Sequence, residues 1–191
     1  MSTQTQLIMK KKIIIGLVVV VVILAALAAY VVLVANKRSP AKTTAFNYAG
    51  VDIKVDYCQP YKKGRLIFGE EKDKALQPYG KYWRLGANAA TQITFSKNIN
   101  FVGKPVNAGT YRMYAVPGAT TWQVSLNSGL GKWGYSEPDY SLDVLKVDVP
   151  AASAPEETEQ FVINFSSDST QANMDFVWDK TLVRVPITAQ P

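Results

Sequence analysis

Two hydrophobic rhythms divide the chain. Ile13 to Val34 is a run of 22 residues without a charge, dominated by Ile, Val, Leu and Ala. At 1.5 Å per residue a helix of that length spans roughly 33 Å, enough for a bilayer core of about 30 Å. Every backbone group in lipid must bond within its own segment, so helix wins there even for a Val-rich run. After residue 48 the rhythm changes to period two. Val51-Asp52-Ile53-Lys54-Val55-Asp56-Tyr57 alternates without error. So do Trp122 to Leu126, Leu145 to Val149 and Ala172 to Trp178, while Phe161, Ile163 and Phe165 share one face. Thr91 to Phe95 and Val183 to Val185 fit the same pattern. Such alternation buries one face of a strand and wets the other, the signature of antiparallel rather than parallel sheet.

Turn residues separate these runs: Gly103-Lys104-Pro105, Ala108-Gly109, Pro117-Gly118 and Asn127-Ser128-Gly129. Eight to ten short strands at this spacing predict an all-β domain, an antiparallel β-sandwich of jelly-roll type. The expected layout is a short cytoplasmic tail (1–12), a transmembrane helix (13–34), a linker (35–48) and the β-domain (49–188). Asn36 to Tyr48 reads as linker because it is polar and aperiodic, with Ser39-Pro40 and Thr43-Thr44. One short helix is expected over Glu70 to Leu76, where helix formers precede Pro78. The Glu156-Glu157-Thr158-Glu159 run reads as a solvated loop. Two long loops, Gly69 to Tyr82 and the Gly- and aromatic-rich Asn127 to Ser141, have the length of binding elements or flaps.

Charge matters once it is located. The formal charge is +6, and six of the 21 basic residues lie within residues 1–42, which hold no acid. The remaining 15 basic residues face all 15 acidic ones, so the domain is neutral. Its basicity flanks the apolar run. No nucleic-acid partner is expected from a domain without a basic stripe. The lysines on the two sides of the apolar run nearly balance. A short tail before a first apolar segment usually stays inside, which predicts residues 43–191 outside the cytoplasm, in the periplasm or the extracellular space. A cleaved signal peptide is the rival reading, with Ala26-Leu27-Ala28 as a small-x-small site. A cut there would leave the apolar Tyr30 to Val34 as a new terminus, which favours an uncleaved anchor.

The chain has no histidine and one cysteine, Cys58. That removes His-dependent triads and the commonest ligand of zinc, copper and iron, and a lone thiol builds neither a disulfide nor a metal cluster. No catalytic residue, metal site or cofactor is expected. Five residues are candidates for ligand binding. Trp83, Arg84 and Asn88 put an indole, a planar guanidinium and an amide within one short segment, a set able to hold a carboxylate, a sugar hydroxyl or a peptide backbone. Trp133 and Tyr135, with Tyr140 nearby, place aromatic faces on the Gly-rich loop, where they could stack on a sugar or pack on a partner. Each group has a plainer reading. Trp83 fills core, Arg84 pairs with Asp56 or Asp179, Asn88 bonds loop backbone, and the aromatic loop closes one end of the sheet. Lys63-Gly64-Arg65 reads as a solvated turn.

The segments Pro78 to Phe95, Gly103 to Tyr111 and Trp178 to Thr181, with Val185-Pro186-Ile187, resemble a bacterial, exported domain family catalogued as domain of unknown function 2911. The resemblance covers roughly residues 51–187, and Trp83-Arg84-x-Gly86-Ala87-Asn88 is its most specific part. It implies a single exported domain and supplies no activity. Its members often carry a cleavable signal. Three functions follow as alternatives: an envelope module binding a glycan or protein partner, a structural part of an envelope assembly, or a glycan hydrolase working through two carboxylates.

Overall fold

The computed structural model describes residues 3–131 and 133–190. They form a helix and, from Ser39 onward, a separate compact domain. The helix α1 spans Thr3–Arg38, passing beyond the apolar run at both ends. Its segment Lys11–Val34 is long and apolar enough to cross a membrane.

The domain is built from strands: β1 Ala41–Tyr48, β2 Val51–Cys58, β3 Phe68–Gly69, β4 Gln77–Pro78, β5 Gln92–Phe95, β6 Ile99–Phe101, β7 Lys104–Val106, β8 Gly109–Val116, β9 Thr121–Asn127, β10 Asp143–Ser167 and β11 Ala172–Ala189. Nine of them hydrogen-bond as one antiparallel sheet in the order β1-β2-β5-β8-β9-β10-β11-β6-β7, and β3 pairs with β4 apart from it. The all-β class is as expected. The ladders, however, join every strand of the main sheet into one ribbon. β10 makes this possible. Its first part, to Pro150, pairs with β9, and its later part, from Ala151, pairs with β11. Pro150 sits at the change of partner, and Pro155 lies in the stretch between Ser153 and Thr158 where the register slips. Both prolines thus fall where a missing N–H costs the ladder little.

The two arms of this ribbon share one core. Phe46 of β1 stacks on Phe165 of β10, with ring centroids 5.4 Å apart and planes 8° from parallel. The Ile163 amide of β10 donates to the Tyr57 hydroxyl of β2 at 2.9 Å, and the Tyr57 and Phe161 rings meet edge-on. The alternating residues point inward as the pattern requires: Val51, Ile53, Val55, Tyr57, Trp122, Val124, Leu126, Phe161 and Ile163 are all buried. At the centre Trp83 lies 5.8 Å from Trp178 and 4.9 Å from Phe161, and Phe68 lies 4.8 Å from Trp122.

Three expectations are corrected. The segment read as linker, 35–48, holds the end of α1 and the whole of β1, which pairs residue for residue with β2 from Ala41↔Cys58 to Tyr48↔Val51. The two residues between, Ala49 (φ 50°) and Gly50 (φ 73°), make the tight left-handed turn that matches the twist of a hairpin. The helix expected over Glu70 to Leu76 is a single 3-10 turn, Glu71–Asp73. The Leu76 and Gln77 amides donate instead to Leu66 and Ile67 carbonyls, so no further helical turn can form. The acidic run Glu156 to Glu159 lies inside β10 rather than in a loop. Lys62 offsets its charge by bridging Glu157 at 2.5 Å and Asp179 at 2.7 Å.

Candidate functional site

The segment after Trp83 is held in an unusual backbone. Leu85 (φ 50°), Gly86 (φ 150°) and Asn88 (φ 55°) all have positive φ, a conformation that costs a side-chain-bearing residue of order 1–3 kcal/mol. The surroundings hold it there. A Cβ at Gly86 would stand 2.7 Å from the Cys58 carbonyl oxygen, so this position admits no side chain. Thr91 Oγ1 donates to the Leu85 carbonyl at 2.6 Å, and Trp83 Nε1 donates to the Gly86 carbonyl at 3.2 Å.

The Gly-rich loop closes onto this segment. Its ends are pinned by Asn127, fully buried, whose Nδ2 donates to Asp139 O at 2.8 Å and to Asp143 Oδ1 at 2.7 Å. The middle of the loop lies on the Arg84–Ala89 turn. Trp133 and Ala89 form an isolated β-bridge, and the Gly134 amide donates to Asn88 O at 3.1 Å. Gly134 is pressed so closely that a Cβ there would meet Arg84 Cδ and Asn88 O, each at 2.7 Å. Tyr82 Oη donates to Gly134 O at 2.9 Å.

Between these pieces lies a cleft of about 590 Å³, lined by Gln77, Tyr82, Arg84, Tyr135, Ser136 and Glu137 among others. Arg84 is half-buried in it, with its guanidinium carbon 5.7 Å from the centre of the Tyr135 ring. Tyr135 is 77 % exposed and Trp133 60 %, so both present open aromatic faces. Burial pushes the Arg84 pKa below its ordinary value and the Tyr82 phenol above its own. Glu137 accepts a hydrogen bond from Tyr140 Oη at 2.7 Å, and burial with that contact pushes Tyr140 up to about 12.

The five residues expected to bind therefore separate. Arg84 and Tyr135 meet across the cleft. Trp133 joins the same turn through its backbone while its ring is exposed. Asn88 faces away, its Nδ2 donating to Ser39 O at 3.3 Å. Trp83 backs the cleft but is core, 2 % exposed within the tryptophan cluster. The pairing of Arg84 with Asp56 or Asp179 is not made: Asp56 pairs with Lys54 at 2.8 Å and Asp179 with Lys62. Arg65 folds back on the Lys62 and Tyr61 carbonyls, which makes Lys63-Gly64-Arg65 a turn.

Sequence reasoning missed Arg112, and the signal was an arginine inside the apolar run Tyr111 to Val116. Arg112 is 1 % exposed in β8, beneath the loop. Its Nη2 donates to Tyr82 Oη and to Ser136 O, and its guanidinium sits 5.6 Å from the Tyr82 ring centre. Its Nε and Nη1 have no acceptor. Among the described residues neither Arg84 nor Arg112 forms an ion pair. A buried charge loses several kcal/mol of hydration, and a desolvated cation–π contact returns about 2. The aromatic contacts alone do not balance two guanidinium groups.

Residues 39–187 match the family model described as a protein of unknown function, DUF2911. The chain belongs to this family. The matched region begins at the first residue of the domain and contains the whole cleft. Neither a curated protein nor a solved structure matches the chain.

Proposed function

We propose that the chain is a membrane-anchored, non-catalytic binding module of the cell envelope, its DUF2911 domain held outside the cytoplasm by an uncleaved α1. The observation that carries the binding reading is the cleft where the turn at Arg84 meets the Gly-rich loop at Tyr135. A pocket of several hundred Å³ with a few convergent polar groups and an open aromatic face is the usual form of a ligand site. The anchor reading rests on a helix, Lys11–Val34, long and apolar enough to cross a membrane. Hydrolysis through paired carboxylates has weaker support. Among the described residues Glu137 is the one carboxylate lining the cleft, where that chemistry needs two. Asp52 and Asp56 lie on the wet face of β2, engaged with Asn47 and with Lys54 and Thr43.

The test is a panel of envelope saccharides and envelope proteins applied to the full chain in non-ionic detergent, alongside Tyr135→Ala. Tyr135 is exposed, so the variant should fold as the wild type does. The reading expects at least one partner held ten-fold or more tighter by the wild type than by the variant. Silence across the panel, or partners indifferent to Tyr135, would overturn it.

A further inference from the structure

We infer that the cleft receives an acidic saccharide, its carboxylate held by Arg84 and its ring laid against Tyr135. This deepens the binding-module reading and rests on it. Two observations converge. Arg84 lines the cleft half-buried with no carboxylate partner, and its one protein acceptor, Asn88 O, is a long 3.4 Å away. One layer beneath, Arg112 is buried with two guanidinium nitrogens unpartnered and adds a second uncompensated positive charge. Buried charge is ordinarily paired; among the described residues Glu137 is the one carboxylate lining the cleft and it pairs with neither guanidinium, so the site keeps a net positive charge that an arriving anion balances. A planar guanidinium suits a carboxylate, which it can meet with two parallel hydrogen bonds.

The rest of the lining narrows the ligand further. Tyr135 has its ring over Arg84 and is otherwise open to solvent, which leaves aromatic surface for the apolar face of a sugar. Gln77 and Glu137 line the same cleft and can hydrogen-bond hydroxyl groups. Glu137 is also a negative charge at the cleft, so a ligand that was anionic throughout would be repelled there. A single carboxylate beside hydroxyl groups fits both ends. The cleft's volume of about 590 Å³ lies within the range of small-ligand pockets and has room for one or two sugar rings. Arg112 works through position. It holds Tyr82 and the Ser136 backbone in place and keeps the floor of the cleft positive.

The experiment uses the full chain in non-ionic detergent, titrated calorimetrically with galacturonate, which carries one carboxylate, and with its methyl ester, which has the same ring and no charge. Galacturonate should bind, and the ester at least ten-fold more weakly. Arg84→Gln should lose ten-fold or more in affinity for the acid and little for the ester, while Arg84→Lys should retain part of it. Lys104→Gln, at an exposed position in β7, should change nothing. Inorganic phosphate forms a separate arm, and it should compete poorly because it lacks a ring for Tyr135. Equal binding of acid and ester through Tyr135 would overturn the anion assignment and leave the binding module standing. Binding of phosphate in preference to galacturonate, or no binding of galacturonate at millimolar concentration, would overturn the acidic saccharide. An equal loss in Arg84→Gln and Lys104→Gln would reduce the effect to general surface charge and overturn it as well.

Discussion

At the scale of single residues, backbone conformation sets what the site tolerates. Gly86 combines a positive φ with a Cβ position 2.7 Å from the Cys58 carbonyl, so both strain and collision oppose any side chain. Gly86→Ala should cost about 2 kcal/mol or more and lower the thermal midpoint by at least several degrees, as calorimetry would show. Ala49 offers the reverse case. It is exposed and held at φ 50° in the β1–β2 turn, which Asn tolerates far better than Ala. Ala49→Asn creates the Asn-Gly pair that such turns favour and should raise stability by about 1 kcal/mol in a denaturant titration. Lys62 carries a pH dependence. Its hydrogen bonds to Asp179 and then Glu157 push its pKa up to about 12, above its ordinary value. The ammonium form is the one stabilised by folding. Its contribution is therefore complete below the ordinary lysine range and is lost as pH rises through about 12. Lys62→Met should accordingly be less stable than the wild type at pH 8, with the gap closing towards pH 12 in parallel thermal melts.

At the scale of elements, legibility in the sequence followed exposure to water. β2 and the two ends of β10 each have one wet face, so their alternation was plain, while β9 alternates because its second face is polar although covered, with Ser125 and Asn127 buried; Val51 to Tyr57 and Trp122 to Leu126 bury the apolar residues that the pattern indicated. β8 left no such mark. Met113, Tyr114 and Ala115 are all buried because the core covers one face and the Gly-rich loop the other, and alternation vanishes in a strand covered on both sides. The same covering hid Arg112. β1 was missed for the opposite reason. Only Phe46 and Tyr48 supply large apolar contacts, and its register comes from the ladder with β2 and from the stack on Phe165. Phe46→Ala should cost about 2 kcal/mol, less than a fully buried aromatic would, and should raise hydrogen exchange in β1 before β9. The site was legible as two separate pieces, the turn after Trp83 and the aromatic loop. Their meeting was not, because it depends on Gly134 fitting against Arg84 and Asn88 over a sequence distance that no local pattern spans. Gly134→Ala should push the loop away and weaken ligand binding at the cleft more than it weakens the fold, which paired calorimetry of binding and unfolding would separate.

At the scale of the whole molecule, a neutral DUF2911 domain follows a basic-flanked helix long and apolar enough to cross a membrane, and the proposed function gives recognition to the first and attachment to the second. The side chains from Ile13 to Leu33 that lie exposed on α1 form a large apolar surface, and lipid is the cover proposed for it. The proposed envelope role, as distinct from ligand binding at the cleft, depends on the helix staying joined to the domain. The direct measurement is the intact mass of the protein recovered from membranes after an alkaline carbonate wash. The account predicts a membrane-embedded chain of 21.0 kDa that still yields peptides from residues 1–38. A soluble domain recovered without them, cut within or after the apolar run, would contradict it.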